Sequence, residues 1–151
     1  MIPASDLYAE WTALQNEYPT ALQDWTLRIN RRAMTKLGAC KYMTQEIEIS
    51  IHLLKNGTWA MVRDTLRHEV AHVLAGSHRG HGPVWKVWAK KLGARPERTA
   101  RGEKAKAMPE HKWGIYCQEC REVVARRHRR RMKLHRKQCG KCGGSLAWIR
   151  L

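Results

Sequence analysis

The stretch TWAMVRDTLRHEVAHVLA, residues 58–75, decides the fold of the first part of the chain. A turn signal, Lys55-Asn56-Gly57, comes before this stretch, and Gly76 follows it as a helix terminator. Its apolar residues recur at three- and four-residue steps, as in an amphipathic helix: Val62, Leu66, Val70 and Val73. The sequence therefore predicts a single helix over 58–75, with one stripe packed against a core.

A neighbouring stripe of this helix carries His68-Glu69-Val70-Ala71-His72. Residues four apart on a helix face the same way, so both imidazoles can reach one zinc ion at ~2.0 to 2.1 Å. Glu69 then lies beside the metal, where its carboxylate can act as general base on an attacking water. The motif predicts a zinc hydrolase, and a peptidase first of all.

A catalytic zinc takes three protein ligands and keeps one position open. The sequence offers four candidates for the third ligand: His78, His81, Glu97 and Glu103. His78 has the spacing of the third metzincin histidine, but the glycine of that motif is Ala75 here. His81 stands directly before a second predicted helix over 83–92, which begins with proline and ends at Gly93. The residues by themselves leave this ligand open.

Upstream of the motif, the pattern predicts one helix and a small sheet. Apolar and aromatic residues at helical steps mark residues 6–18 as an amphipathic helix. Alternating stretches over 25–30 and 47–51, with a third at 39–43, predict an antiparallel sheet with one face in water. The fold class expected is α+β.

The formal net charge of +16 comes from 29 Lys and Arg against 13 Asp and Glu. Such a field attracts polyanions, and nucleic acid is the first candidate partner, with an anionic membrane as the rival. No segment approaches ~18 consecutive apolar residues, and the N-terminus lacks the regions of a signal peptide. We expect a cytoplasmic monomer with no membrane partner, nucleoid-associated if the source is bacterial.

Four of the five cysteines form two C-x-x-C pairs, Cys117/Cys120 and Cys139/Cys142. That spacing suits a tetrahedral structural zinc site better than a disulfide framework, and a redox dithiol needs no second pair. A module of this size has too small a core to fold without its metal. Cys40 stands apart and is interpreted as a small apolar core residue.

A dense basic run lies between the two cysteine pairs. Such a run is often only a solvated surface, but its concentration favours a nucleic-acid-binding surface. Trp113 and Trp148 could stack on unpaired bases, or serve only as core of the module. The candidate nucleic-acid-binding residues are Arg126, Arg127, Arg129, Arg130, Arg131 and Lys133.

These motifs resemble the SprT-like metalloproteases, a family that includes Spartan, which digests proteins crosslinked to DNA. The family pattern, an H-E-x-x-H helix, a loop and H-G-x-x-[FW], matches His68, Glu69, His72, His81, Gly82 and Trp85. Many members add a zinc ribbon introduced by Y-C, as in Tyr116-Cys117. The resemblance implies a minimal zincin-like domain over 1–96, a basic linker over 97–112 and a four-cysteine β zinc ribbon over 113–151.

The resemblance also implies His81 as the third ligand, and hence two zinc ions per chain, one catalytic and one structural. The function expected is a DNA-repair endopeptidase of low sequence specificity, acting on DNA-associated or DNA-crosslinked proteins. A nucleic-acid-binding adaptor with a weak or inactive zincin site is the alternative, and hydrolysis of a small amide is a third hypothesis. The donor that stabilises the oxyanion stays open among Tyr42, His52 and His111.

Overall fold

The computed structural model describes residues 1–77, 80–96 and 107–151. The chain divides into two compact units, Met1–Pro109 and Glu110–Leu151, which are described separately. Within the described ranges, no helix is long and apolar enough to cross a membrane.

The first unit packs helices against a three-stranded sheet, which confirms the α+β class. Its elements are α1 (Ala4–Glu17), α2 (Pro19–Leu22), β1 (Thr26–Asn30), β2 (Gly38–Lys41), β3 (Glu46–Ser50), α3 (Ile51–Asn56), α4 (Trp59–Ala75) and α5 (Pro83–Leu92). The core joins one stripe of each long helix to the sheet, and includes Leu7, Trp11, Leu14, Ile47, Ile49, Val62, Leu66, Val70, Trp85, Ala89 and Leu92. The predicted helices over 58–75 and 83–92 are confirmed.

The sheet has the order β1-β3-β2 and is mixed. β2 pairs antiparallel with β3, as predicted, but β1 pairs parallel with β3, from Thr26 opposite Glu46 to Asn30 opposite Ser50. The antiparallel prediction therefore holds for one of the two pairings. Alternation along a strand reports which face is buried and says nothing about the direction of the neighbouring strand.

The end of β3 also differs from the prediction, because the strand stops at Ser50 and α3 begins at Ile51. The Ser50 hydroxyl accepts a hydrogen bond from the His52 backbone N–H, which satisfies a donor of the first helical turn. This N-cap explains why Ile51, predicted as the last strand residue, begins a short helix.

β3 is buried on both faces, so the expected water-exposed face is partly covered. Glu48 points to that face and is only 4% exposed. Its carboxylate accepts hydrogen bonds from Asn30 Nδ2 at 2.7 Å and Lys41 Nζ at 2.6 Å, and Arg28 lies 3.7 Å away. Burial alone would raise the pKa of Glu48, but these partners outweigh burial and lower it.

The first unit extends past residue 96, the limit predicted for it. Ala107 is fully buried in its core, and its carbonyl accepts a hydrogen bond from Asn56 Nδ2 at 3.2 Å. The last part of the predicted linker over 97–112 therefore packs on this unit, while 97–106 lies outside the described residues.

The second unit is an antiparallel sheet of β4 (Trp113–Cys117), β5 (Glu122–Arg127) and β6 (Leu146–Arg150), in the order β5-β4-β6. A 3-10 turn at Leu134–Arg136 buries Leu134. The four cysteines of the two C-x-x-C motifs cluster in this unit, as a zinc ribbon requires. This architecture confirms the predicted β ribbon.

We predict that Glu48→Gln lowers the free energy of unfolding by about 1 to 2 kcal/mol at pH 7, because the ion pairs are lost from a buried site. Folding lowers the pKa of Glu48, so its stabilisation is present above the unfolded value of about 4.3 and is lost as pH falls through the folded pKa. Urea unfolding from pH 7 to pH 3 measures both effects.

Glu46→Gln is the matched control, since the partner of Glu46 among the described residues is Arg28, which is 60% exposed. That variant should change stability by less than about 0.5 kcal/mol. Equal losses in the two variants would show that the buried network adds nothing beyond a surface ion pair.

Candidate metal centre

α4 begins and ends where its capping groups place it. The Thr58 hydroxyl accepts from the Met61 backbone N–H at 3.3 Å, and Gly76 ends the helix with a φ of 87°, a conformation that suits glycine. His68 and His72 lie between these ends on one stripe, one turn apart. The helix therefore presents both imidazoles in the same direction.

His81 completes the cluster from the segment that leads into α5. Its Nε2 lies 2.9 Å from Nε2 of His68 and 3.2 Å from Nε2 of His72. Three imidazoles bound to one zinc at ~2.0 to 2.1 Å in tetrahedral geometry would place their nitrogens about 3.3 Å apart. The three nitrogens therefore converge with a spacing that suits a single zinc-sized ion.

The electrostatics of the cluster favour neutral imidazoles. Burial, together with the charges of His68 and His81, lowers the pKa of His72 to about 4. A neutral imidazole keeps the lone pair that a metal ion requires, so at neutral pH the cluster offers donors to a cation. This donor set is compatible with zinc.

Glu69 lies beside the histidines but faces the sheet. It is 8% exposed, and burial raises the pKa of its carboxyl to about 7, against an opposing effect of the Lys36 charge. A carboxylate with a pKa near neutrality is well suited to accept and return a proton. Its role as general base, expected from the H-E-x-x-H motif, stays a prediction.

Gly38 in β2 makes room for this carboxylate and was not predicted as a site residue. A Cβ at Gly38 would lie 2.8 Å from Thr65 Cγ2 and 3.0 Å from both Cγ and Oε1 of Glu69. Any larger residue would push on Glu69 or on the helix that carries it. Nothing in the local sequence marks this glycine, because the residues it touches lie far along the chain.

The remaining candidates are three residues for the third ligand and three for the oxyanion donor. His78, Glu97 and Glu103 fall outside the described residues. The Tyr42 hydroxyl donates to the His72 carbonyl at 2.7 Å, so its proton is already engaged. His52 lies in α3, and His111 belongs to the second unit. A role for any of these three as oxyanion donor stays a prediction.

A cavity of about 420 Å³ opens beside the first half of α4 and does not include the histidine cluster. Its lining includes Arg63, Arg67 and Arg95, whose guanidinium groups pair with Glu10 or Asp64. These cations are engaged in holding α1, α4 and the segment after α5 together. We therefore assign the cavity no part in the chemistry of the cluster.

The four cysteines of the second unit converge in the same way. Sγ of Cys142 lies 3.0 Å from that of Cys120 and 3.6 Å from that of Cys117, and the Cys120 and Cys139 sulfurs are 3.9 Å apart. A disulfide would need about 2.05 Å, whereas four sulfurs around one zinc lie about 3.8 Å apart. All four are free thiols, and their geometry suits a tetrahedral metal ion.

Backbone amides turn toward these sulfurs. The N–H groups of Cys120 and Gly144 donate to Sγ of Cys117 and Cys142, each at 3.3 Å. Backbone N–H groups of Lys141 and Cys142 lower the pKa of Cys139 to about 7, which favours its thiolate. Hydrogen bonding between thiols raises the pKa of Cys120, chiefly through Cys142, so a full set of thiolates needs a cation to balance their charge.

The structure divides the predicted basic run between two faces of the ribbon sheet. All six residues are exposed, but Arg126 and Arg127 are successive residues of β5 and point to opposite faces. Arg127 pairs with Trp113 across the strands, and the Arg130 guanidinium lies 4.4 Å from the Trp113 ring centre. Arg150, which was not predicted as a site residue, approaches the same ring at 6.0 Å.

This arrangement defines a Trp113 face, made of Trp113, Arg127, Arg130 and Arg150. Arg150 escaped prediction because it lies beyond the second cysteine pair, outside the basic run, and joins it only through the pairing of β4 with β6. The alternation of residues along β6 places Arg150 on one face of a sheet. It does not tell which residues of the neighbouring strands share that face. Trp113 and Trp148 are both half-buried in the sheet.

Comparison with known proteins covers the part of the chain that carries the histidine cluster. A sequence model of the SprT-like family matches residues 5–106. The chain is also similar to Protein SprT of Proteus mirabilis (strain HI4320), with 29% identity over 122 residues that cover 76% of this chain and 69% of the relative. The matched region contains all three histidines and nearly all of α1 to α5. The chain belongs to the SprT-like family.

Proposed function

We propose that this protein is a zinc-dependent endopeptidase of low sequence specificity that cuts proteins associated with or crosslinked to DNA. The single observation that carries the proposal is the convergence of three imidazole nitrogens, 2.9 and 3.2 Å apart, beside a buried carboxylate. A purely structural zinc site closes its fourth position with a ligand and needs no general base. Glu69 therefore favours catalysis over a structural role.

His68, His72 and His81 would hold the catalytic zinc, and the four ribbon cysteines would hold a structural one. Zinc, when bound to three protein ligands, supplies a Lewis acid that polarises a carbonyl and lowers the pKa of a coordinated water toward ~7. The chemistry of the two donor sets, all imidazole and all thiolate, matches these two classes of site.

The protein's own residues would do the proton transfer. Glu69 accepts a proton from the attacking water and returns it to the leaving amine, the two steps of general acid–base catalysis. The low exposure of Glu69 keeps its carboxyl in a site of low dielectric, where a charge acts more strongly on the reacting atoms. Gly38 leaves the carboxylate the space that this position requires.

The ribbon would bring the protein to DNA through its exposed cations. Guanidinium groups on the Trp113 face can contact phosphates in a way that does not depend on base sequence. The net charge of +16 adds long-range attraction between the protein and a polyanion. Substrates would then be selected by being held on DNA, which fits low specificity for the cleaved sequence.

We predict two zinc ions per chain, measured by elemental analysis of the purified protein. His81→Ala should lose one ion, and Cys139→Ser with Cys142→Ser should lose the other, because each change removes ligands from one site. His78→Ala is the matched control and should keep both ions. If His81→Ala keeps both ions and His78→Ala loses one, the third ligand is His78 and not His81.

We predict that Glu69→Gln keeps the fold and both zinc ions but slows cleavage of a DNA-bound protein by at least about 10²-fold, because an amide of the same shape accepts no proton. Glu46→Gln is the control, because it removes the same charge from a residue of the sheet. This variant should cleave the DNA-bound protein at the wild-type rate. Full activity in Glu69→Gln would remove this residue from the mechanism. If neither the wild-type protein nor any variant cuts while all bind DNA, the adaptor hypothesis replaces the peptidase.

We predict that replacing Arg127, Arg130 and Arg150 with Gln weakens DNA binding and flattens the plot of log affinity against log salt by up to ~3 units, since three phosphate contacts are lost. Lys86, Lys90 and Lys91 of α5, replaced with Gln, give a control of equal charge. Cleavage of a short peptide without DNA should be unchanged in both. If the dependence of log affinity on log salt flattens only in the α5 variant, DNA contacts the first unit and not the ribbon.

A further inference from the structure

Two aromatic side chains from different elements each donate a hydrogen bond to the backbone carbonyl of a histidine in the cluster. Trp85 Nε1, from α5, donates to the His68 carbonyl at 3.3 Å, and the Tyr42 hydroxyl, in the turn between β2 and β3, donates to the His72 carbonyl at 2.7 Å. We infer that Trp85 and Tyr42 are positioning residues that hold the three imidazoles in their metal-binding arrangement. This inference rests on the proposed function and explains how its site is kept in place.

Trp85 also forms a wall behind the imidazoles. It is 0% exposed, and its ring centre lies 4.6 Å from that of His68, 5.4 Å from that of His72 and 4.5 Å from that of His81. A large ring fixed in a packed core limits the side-chain rotation of whatever touches it. One side chain therefore restricts all three proposed ligands together.

Tyr42 acts on the part of α4 that most needs support. His72 lies in the last turn of the helix, where the backbone tends to fray. Its carbonyl accepts from the backbone N–H of Gly76, the residue that caps the helix, at 3.1 Å. The Tyr42 hydroxyl lies within hydrogen-bonding distance of two carbonyls at this end, those of His72 at 2.7 Å and Gly76 at 3.3 Å. It thereby holds the turn that carries the second proposed ligand.

The position of Tyr42 is itself fixed. Its ring meets that of Trp25 edge to face, with centres 5.8 Å apart, and Trp25 belongs to the core. Packing against a core residue therefore keeps the Tyr42 hydroxyl directed at the carbonyls of His72 and Gly76.

Holding ligands in place before the metal arrives should strengthen binding, because less conformational freedom is lost when the site closes. Groups that orient metal ligands typically change metal affinity by about 10- to 100-fold when they are removed. A role in packing alone would instead lower the thermal stability of the first unit and leave the affinity of folded protein for zinc unchanged.

The test compares zinc affinity in the 151-residue wild type, Trp85→Phe and Tyr42→Phe by competition with a chromogenic chelator, together with the melting temperature of each. The histidine-bound zinc ion is identified as the one that is lost in His81→Ala. This ion should bind about 10- to 100-fold more weakly in Trp85→Phe and in Tyr42→Phe than in wild type. The four-cysteine zinc should keep its affinity in the same molecules, and so acts as an internal reference.

Trp11→Phe and Tyr18→Phe are the matched controls. The first removes the same atoms from another buried position, and the second removes the hydroxyl of a half-buried tyrosine whose ring contacts Trp88. Neither should change zinc affinity. Unchanged affinity in both Trp85→Phe and Tyr42→Phe, or equal weakening in the controls, would overturn the inference.

The two variants are independent, so if Trp85→Phe does not fold, Tyr42→Phe decides. Wild type that binds zinc through the histidines but cuts no protein would refute the proposed function, and weaker zinc binding in the variants would still support the positioning role. Wild type that binds no zinc through the histidines would overturn the positioning role as well.

Discussion

The rotation of α4 about its own axis is the constraint on which the rest of the first unit depends. Val62, Leu66 and Val70 are fully buried, so the apolar stripe allows only one orientation of the helix against the sheet. Successive residues are turned by about 100°, so His68 and Glu69 must face different neighbours. His68 and His72 meet α5, and Glu69 meets β2. The helix geometry alone thus directs the proposed metal ligands and the proposed general base to different neighbours.

Much of this arrangement follows from local patterns in the sequence. The bounds of α4 and α5 are set by groups close in sequence, such as Thr58 and Gly76, and the cysteine pairs report a metal site by spacing alone. The contributions of Gly38 and Arg150 depend on residues far away in the chain, and local patterns carry no information about them. The parallel pairing of β1 with β3 escaped prediction for the same reason.

The positive charge of the chain is used differently in the two units. Among the described residues of the first unit, several cations hold the fold together: Arg28 and Lys41 with Glu48, Arg63 and Arg67 with Glu10, and Arg95 with Asp64. In the ribbon, arginines lie on exposed strand and loop positions, and two approach an aromatic ring. The net charge alone therefore overstates what is available to a polyanion, because part of it is engaged in ion pairs within the first unit.

The short sequence distance between the proposed histidine ligands has a consequence for the order of folding. His68 and His81 are 13 positions apart, whereas Tyr42 contacts a carbonyl 30 positions away. A contact between residues that are near each other in the sequence encloses a small loop and forms quickly. Contacts between distant residues form later. A chain leaving the ribosome or refolding from denaturant should therefore assemble its three imidazoles before the hairpin that carries Tyr42 docks. Docking of Tyr42 is then a late step, which fixes imidazoles that short-range contacts have already brought together.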